Sequence, residues 1–200
     1  EITLSFVPYA RDLQMWMDRA RAAGHEVMLE LPMEPFDYPN NDPGPHTLMA
    51  EASQQENTRR LHWLLSRGAG YFGVTNYLGA RLVTADAALA PIYQELTRRG
   101  LHVFHDGTGR RGAADTAARR AGTPLISADR LLDADPSVRA IDERLLELEA
   151  LALQNGNALG SGFAYPVTVG ALQRWAQGLE ARGYQLAPAS HVARQRSGAS

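Results

Sequence analysis

The sequence contains no cysteine and no lysine, and all twenty of its basic residues are arginine. The lack of cysteine excludes thiol nucleophiles, thiolate metal ligands and disulfides, although it leaves the cellular compartment open. The lack of lysine excludes phosphate-loop transfer and imine chemistry. The chemistry that remains belongs to carboxylate, histidine, tyrosine, serine and arginine side chains.

Two further features are missing. No apolar run approaches the roughly 20 residues needed to cross a bilayer, and a formal net charge of -2 provides no basic surplus of the kind that nucleic-acid binders carry. We therefore expect no nucleic-acid partner and no membrane contact within this chain. Glu1 opens the sequence without a start methionine or a signal-like apolar region, which we interpret as a cut N-terminus.

The composition is that of one globular domain. With 200 residues, 44% hydrophobic and 21% charged, the chain can bury one substantial core. We predict a single domain over residues 1–190. The last ten residues, 191–200, are polar and basic, and we expect them to form a frayed tail.

The chain alternates between helical segments and short apolar runs, usually with a glycine at the join. This alternation predicts right-handed βαβ crossovers and a parallel sheet. Seven units favour an α/β barrel, incomplete, over a three-layer sandwich, which sequence alone does not firmly separate from it. The predicted strands are residues 2–7, 25–31, 71–76, 101–106, 123–129, 157–163 and 184–189.

Helix boundaries carry their own signals. Ser53 with Glu56 has capping-box spacing, while Thr84 and Asp135 stand where N-caps are expected. A stripe from Val138 to Ala152 at three- and four-residue steps predicts an amphipathic helix. Five glycines suit the left-handed position that follows a helix end, namely Gly24, Gly100, Gly122, Gly156 and Gly183.

Polar residues stand where the predicted strands end. In parallel α/β folds ligands bind at the carboxyl ends of strands, where the loops converge, so Glu30, Asn76, Asp106 and Asp129 are candidate site residues. A carboxylate pair there can act as acid and base or bind a cation, and the spacing does not tell which. Asp106 and Asp129 would serve equally well as helix caps. The polar loops that follow contain Glu34, Asp37, Asn41, Asp42, Arg81, Thr108 and Arg110.

The loop after the second run, "LPMEPFDYPNNDPGP", is long and rich in proline. Its stiffness would hold Glu34 and Asp42 at the rim with little ordering cost, and loops of this length are often functional. The alternative is that its proline and Asn-Asp clusters only make turns and caps.

The six histidines indicate no metal site by themselves. None forms a His-x-x-x-His pair, and His102 and His105 point to opposite faces of one strand. We assign each histidine a structural role, with His46 and His105 the less certain two. The glycine-rich "GSGFAYP" lacks the dinucleotide fingerprint, and there is no Gly-x-Ser-x-Gly elbow.

Several blocks in order resemble the divergent polysaccharide deacetylase family. They are "GHEVMLELPMEPFDYPNNDPGPHTL", "NTRRLHWLLSRGAGYFGVTNYLGARL", "HDGTG", "ADRLLDADPSVRAIDERLLELEALALQNGNALGSG" and "YPVTVGAL". The resemblance covers essentially the whole chain. It implies a distorted (β/α)7 barrel of parallel strands that removes acetyl groups from N-acetylated polysaccharides. By the same resemblance a divalent ion, usually zinc, is held by one Asp and two His and activates water.

The sequence departs from that family pattern at several positions. The first strand of the family, with its Asp-Asp pair, would lie before Glu1 and is missing from this chain. Glu30 and Tyr77 stand where many members have histidine, and "GFAYP", with Phe163, replaces a Gly-His-Pro-like element. Carboxylate and phenol groups favour a harder ion or none, so the residues of this chain do not support the divalent metal, zinc in the wider family, that the resemblance implies.

Two functional hypotheses remain open. In the first, Glu30, Asn76 and Asp106 form an altered hydrolytic centre on an N-acetylated envelope glycan. In the second, the barrel binds glycan without catalysis and acts as a scaffold. The residues expected to bind substrate are Glu34, Asp42, Tyr77, Arg81, Asp129, Phe163 and Tyr165, and a wider aromatic lining adds Tyr38 and Tyr71.

The resemblance also implies a polysaccharide or peptidoglycan-like partner and a periplasmic or envelope-associated location. A protein-interaction module is a further alternative, and it predicts an exposed apolar patch without glycan affinity.

Overall fold

The computed structural model describes residues 2–108 and 111–198, and Arg110 therefore lies outside the described residues. Five parallel strands form one sheet in the order β1-β2-β3-β4-β5, and two more form a separate parallel pair. The strands are β1 Thr3–Phe6, β2 Glu26–Met33, β3 Gly73–Leu78, β4 His102–His105, β5 Leu125–Ser127, β6 Arg130–Leu131 and β7 Gly160–Ser161.

Helices connect these strands and cover them. They are α1 Leu13–Ala22, α2 Gln54–Leu65, α3 Asp86–Arg98, α4 Arg111–Ala121, α5 Val138–Asn155, α6 Pro166–Gln177 and α7 Ala189–Ser197. Among the described residues, none of the helices combines the length and apolarity that crossing a membrane requires.

The predicted parallel α/β sheet is confirmed, and its longest strand explains the layering. In β2 only Glu26 and Glu30 escape full burial, as expected for a strand covered on both faces. Because side chains alternate along a strand, Leu29 packs into the core beneath α1 to α4, whereas Met28 joins a second core on the opposite face. That second core lies on the face of the sheet opposite to α1 to α4, which we call the interior of the sheet.

The sheet remains open in the part of the chain that the structure describes. β1 pairs with β2 and with no other described strand, while β6 and β7 pair only with each other. Closure into a barrel, and the missing first strand, therefore remain hypotheses.

The predicted strand 184–189 and the predicted frayed tail are both wrong. Residues 184–188 have no regular structure, and α7 follows them with four buried residues. Pro188 carries no N–H for a strand ladder and stands at the N-cap of the helix. Ala189 and Ala193 then pack against the interior of the sheet.

Two of the three predicted N-caps are also wrong. Ser53 caps α2 as expected, because its hydroxyl accepts a hydrogen bond from the Glu56 N–H at 3.1 Å. Thr84, however, belongs to a short 3-10 helix, and its hydroxyl donates to the carbonyl of Arg81 at 2.8 Å. Asp135 instead accepts from the N–H of Ser137, and Ser137 caps α5.

The predicted helix stripe is confirmed in its middle but not at its ends, and the predicted glycine positions are confirmed. Ile141, Leu145 and Leu148 are buried along α5, while Val138 at its start is 47% exposed. Gly24 follows α1 at φ 87°, and Gly156 follows α5 at φ 79°, in the left-handed region where a side chain would be strained.

Candidate functional site

A cavity of 1090 Å³ extends from the interior of the sheet to the carboxyl ends of its strands. Residues 2–5, at and before the start of β1, line one side of it and residues 158–163 around β7 line another. Most of the lining is apolar, with a few polar groups near the strand ends, which is the usual composition of a ligand site. This cavity is the candidate functional site.

Glu30 lies inside β2, three residues before the strand ends and not at the predicted strand end, and it lines the cavity. Burial raises the pKa of Glu30 from its ordinary 4.5 to about 7, since a charge in a poorly solvated wall is disfavoured. A hydrogen bond with the Ser5 side chain opposes this shift, and the negative charge of Asp106 adds to it. Glu30 is therefore a group that exchanges a proton near neutral pH.

Asp106 follows β4 directly and also lines the cavity. Its Oδ1 accepts hydrogen bonds from the Thr108 N–H at 2.9 Å and the Thr108 hydroxyl at 2.7 Å. Its backbone carbonyl accepts from the Ser161 hydroxyl at 2.5 Å, which ties the loop after β4 to β7. These contacts fix the position of Asp106.

Asn76 lies inside β3, two residues before the strand ends and not at the predicted strand end, and it connects β3 to the residue after β4. Its Oδ1 accepts from the Asp106 N–H at 2.9 Å, and its Nδ2 donates to the Leu78 carbonyl at 2.8 Å. Asn76 is 6% exposed. Because both ends of its amide are engaged with backbone, its geometry is that of a residue that positions Asp106 next to β3.

The structure brings together five of the predicted site residues in this cavity: Glu30, Asn76, Asp106, Tyr77 and Phe163. Three residues of the predicted polar loops, Asp37, Asn41 and Thr108, line it as well. The other predicted substrate-binding residues, Glu34, Asp42, Arg81, Asp129 and Tyr165, do not line the cavity.

Glu34 and Arg81 form a buried clamp rather than a cavity wall. Glu34 is 2% exposed. Its Oε1 accepts from Arg81 at 2.7 Å, and its Oε2 accepts from the Ala50 N–H at 2.7 Å. Arg81 also pairs with the exposed Glu51. The clamp holds the loop after β2 against the start of the loop after β3.

The remaining predicted substrate-binding residues, Asp42, Asp129 and Tyr165, also lie off the cavity wall. Each contacts other parts of the protein instead. Asp42 accepts from the Gly44 N–H at 2.8 Å, which is a turn interaction. Asp129 accepts from the Leu159 N–H at 2.8 Å and from Arg196 of α7 at 2.5 Å. Tyr165 precedes α6, with its ring centroid 5.5 Å from that of Phe163.

Tyr38 and Tyr71, expected in an aromatic lining, are absent from the cavity wall. The Tyr71 hydroxyl instead donates to the Leu65 carbonyl at 2.9 Å. Sequence reasoning had not selected Ser5 or Phe36, and both line the cavity. An exposed phenylalanine in a proline-rich loop was the available signal for Phe36.

The two less certain histidines lie in different places. His46 stacks on Trp63 with ring centroids 3.6 Å apart, away from the cavity, and burial is the main cause that lowers its pKa. His105 is 2% exposed, lines the cavity, and its Nδ1 accepts from the Gly107 N–H at 3.1 Å. Its Nδ1 is 3.6 Å from Asp106 Oδ1.

The donor groups do not fit the zinc centre that the resemblance implies. Within residues 2–108 and 111–198, no three histidine, aspartate or glutamate side chains lie where they could hold one ion. Tyr77 and Phe163, which stand at expected histidine positions, line the cavity with a phenol and a hydrocarbon ring. No chemical step is therefore assigned to a metal.

Comparison with known proteins relates this fold to others. The chain is similar to the uncharacterized protein YibQ of Escherichia coli strain K12, at 26% identity over 167 residues. The match covers 84% of this chain and 51% of YibQ, so the chain spans about half the length of that relative.

Two solved structures are similar in fold. The uncharacterized protein ATU2773 of Agrobacterium tumefaciens C58 superposes with a TM-score of 0.91 at 35% identity, covering 95% of this chain and 77% of that one. A family 2 AP endonuclease from Brucella melitensis gives a TM-score of 0.53 at 14% identity, with 88% and 87% covered. The second likeness concerns the barrel-like fold alone.

The sequence profile of the divergent polysaccharide deacetylase family matches residues 1–193. The resemblance in the sequence blocks is thereby confirmed along nearly the whole chain. This chain belongs to the divergent polysaccharide deacetylase family.

Proposed function

We propose that the protein hydrolyses acetyl amides on an N-acetylated glycan, with Glu30 as the proton acceptor. Family membership supports a deacetylase-like function. The observation that carries the proposal is that two carboxyl groups, Glu30 and Asp106, line one cavity at the carboxyl ends of the strands. A pKa of about 7 at Glu30 suits a group that accepts and returns a proton at neutral pH.

In this scheme water attacks the acetyl carbonyl carbon while Glu30 takes a proton from the water. The C–N bond then breaks as the protonated Glu30 returns its proton to the departing nitrogen, which gives a neutral amine and acetic acid. The acetic acid passes its remaining proton to the amine, and acetate leaves. Asp106, held through Asn76 and Thr108, would bind the protonated amine as it forms. The Tyr77 side chain on the same wall would donate a hydrogen bond to the substrate.

The test uses the full-length protein with N-acetylated oligosaccharides and measures acetate release. We expect Glu30→Gln to lower the rate about 100-fold or more. The matched control is Glu51→Gln, a carboxylate on the exposed side of the Arg81 clamp, and its rate should equal that of wild type. Equal rates for wild type and Glu30→Gln would contradict the proposal.

A second candidate function is glycan binding without catalysis. It is favoured by the donor set, since Glu30, Tyr77 and Phe163 stand on the cavity wall at positions where many relatives carry histidine. Its signature is a full-length protein that binds N-acetylated oligosaccharide and releases no acetate with any added divalent ion. Measurable release would exclude it.

We also propose that a further parallel strand, from polypeptide outside residues 1–200, closes the barrel between β1 and β7. The outer edge of β1 has no partner among the described strands, and an unpaired strand edge offers its N–H and C=O groups to a further strand. Apolar side chains line the same space from two sides. Met28 and Phe104 belong to the interior of the sheet, and Leu145 and Leu172 belong to the outer helices. These are the two faces that a buried strand requires.

Hydrogen exchange tests this closure. The register of β1 on β2 points the Leu4 amide towards β2 and the Ser5 amide towards the open edge. In the full-length protein the Ser5 amide should be about as protected as that of Leu4, whereas in a protein limited to residues 1–200 it should exchange faster. Equal exchange of Ser5 in both proteins would contradict a closing strand.

The family also suggests where the protein acts. We propose a periplasmic or envelope-associated location with peptidoglycan-like glycan as the partner. Fractionation of cells that express the full-length protein tests the location, and recovery only in the cytosolic fraction would contradict it.

A further inference from the structure

Phe36 is the most exposed of the large aromatic residues among the described parts of the chain, at 69%. It follows the buried clamp residue Glu34 and the buried Pro35. An exposed phenylalanine beside buried neighbours is not explained by packing, because water is an unfavourable surrounding for its ring.

The loop that carries Phe36 is fixed at both ends. The Glu34 N–H donates to the Leu48 carbonyl at 3.0 Å, and the Leu48 N–H donates to the Pro32 carbonyl at 2.8 Å. Within the loop the Asn40 N–H donates to the Asp37 carbonyl at 2.8 Å. The ring is therefore presented by a preorganised segment, which reduces the entropic cost of binding.

Phe36 lines the cavity together with polar residues of its own loop and a second aromatic ring. Asp37 and Asn41 from the same loop line the cavity, and Phe163 contributes a second ring, 44% exposed, from the loop after β7. Planar rings with adjacent carboxylate and amide groups match a sugar. The C–H faces of a pyranose stack on aromatic rings, while its hydroxyl groups bond to carboxylates and amides at the ring edge.

We propose that Phe36 is the stacking platform of a sugar subsite at the mouth of the cavity, with Asp37 and Asn41 as the hydrogen-bonding partners of the same sugar. This deepens the proposed function and rests on it. The subsite would select saccharides that reach beyond the sugar being acted upon, so its loss should affect oligosaccharides more than a monosaccharide.

The test measures the affinity of the full-length protein for N-acetylglucosamine oligomers by isothermal titration calorimetry. Phe36→Ala and Phe36→Leu should each weaken hexamer binding about tenfold, as for loss of a central aromatic contact. Phe36→Trp should retain binding because the ring face is kept. The control is Trp16→Ala, an exposed aromatic on α1 that does not line the cavity, and its affinity should equal that of wild type.

Thermal unfolding of the same variants separates binding from packing. We expect Phe36→Ala to unfold at the wild-type temperature, since the ring is mostly exposed. A large fall in that temperature, with hexamer affinity unchanged, would overturn the proposal in favour of a packing role. Equal hexamer affinity for Phe36→Leu and wild type would overturn it while leaving the proposed function intact. A wild-type protein that binds no oligomer would overturn both.

Discussion

Glu30 and Glu34 are the same residue type, four positions apart in one segment, and the fold gives them opposite roles. Glu34 is buried with a salt bridge to Arg81 and a backbone N–H on its other oxygen. Glu30 faces the cavity, and its burial raises its pKa to about 7. The paired carboxylate of Glu34 holds the loop, whereas the desolvated Glu30, with its raised pKa, is available for proton transfer.

The other polar residues predicted at the site also separate into structural groups and groups that can act on a ligand. Asp42 and Asp129 accept hydrogen bonds from nearby backbone, and Asp129 also binds Arg196. Asp106 is positioned by Asn76 and Thr108 but retains a face towards the cavity. Polar residues near strand ends therefore indicate which edge of the sheet holds the site. The hydrogen-bond partners of each residue decide whether it can act on a ligand.

Removing the buried carboxylate of Glu34 should have the largest effect on the free energy of unfolding. We expect Glu34→Ala to lower the free energy of unfolding by about 3 kcal/mol, because it leaves the Ala50 N–H without its partner and Arg81 with only the exposed Glu51. Chemical denaturation of the full-length protein measures this. The control is Glu51→Ala, which removes the exposed partner of the same arginine, and its stability should stay near that of wild type. Equal losses for the two variants would contradict the comparison.

The cavity carboxylate should have the opposite effect on stability. The pKa of Glu30 is about 7 in the folded protein and 4.5 ordinarily, so between these values the folded state binds more protons than the unfolded state. The free energy of unfolding should therefore fall as pH rises from 4.5 to 7, by on the order of 2–3 kcal/mol. Glu30→Gln should lack this fall and be more stable than wild type at pH 8.

Denaturant unfolding of both proteins at pH 5 and pH 8 checks this, because the difference between them cancels the groups that they share. A Glu30→Gln protein less stable than wild type at pH 8 would mean that Glu30 holds the fold as Glu34 does.

Arg196 tests whether Asp129 belongs to the structural group. Its side chain binds Asp129, the Ser127 carbonyl at 3.0 Å and Asn157 at 2.9 Å. Arg196→Ala should lower the free energy of unfolding by about 1 kcal/mol and speed amide exchange in α7. Arg139→Ala, which removes an exposed pair on α5, should do neither. Loss of glycan affinity in Arg196→Ala without any change in stability would move Asp129 to the functional group.

The smallest effect is expected at Asp42. Its carboxylate makes one turn interaction in an exposed loop, so Asp42→Ala should cost less than about 1 kcal/mol. Calorimetric titration should give the wild-type affinity for N-acetylated oligosaccharide. A tenfold weaker affinity would show that Asp42 reaches the ligand.

The sequence was sufficient for the parallel sheet and for most of its strands. Alternation of apolar runs predicted those strands, and Asp106 follows β4 as expected, whereas Glu30 lies inside β2 because that strand continues to Met33. Local sequence patterns did not predict the role of a residue whose hydrogen-bond partner is distant in the sequence. Arg81 is 47 positions from Glu34, and Arg196 is 67 positions from Asp129, so no spacing rule could indicate those pairs.

The C-terminal segment illustrates a different limit. The residues 191–200 look polar, but Ala189, Val192 and Ala193 form a narrow apolar stripe that becomes visible as such only when it meets the interior of the sheet. Small residues carry a weak periodic signal, and Arg and Gln residues obscured it. Tertiary packing therefore overrode the local composition.

The most direct measurement is the titration of Glu30 itself in the full-length protein. Carbon-13 NMR of the glutamate carboxyl groups, with the Glu30 signal assigned by its loss in Glu30→Gln, would give the pKa. The account predicts a midpoint near 7 for Glu30. A midpoint near the ordinary 4.5 would contradict the claim that the cavity keeps this carboxyl group ready to accept a proton.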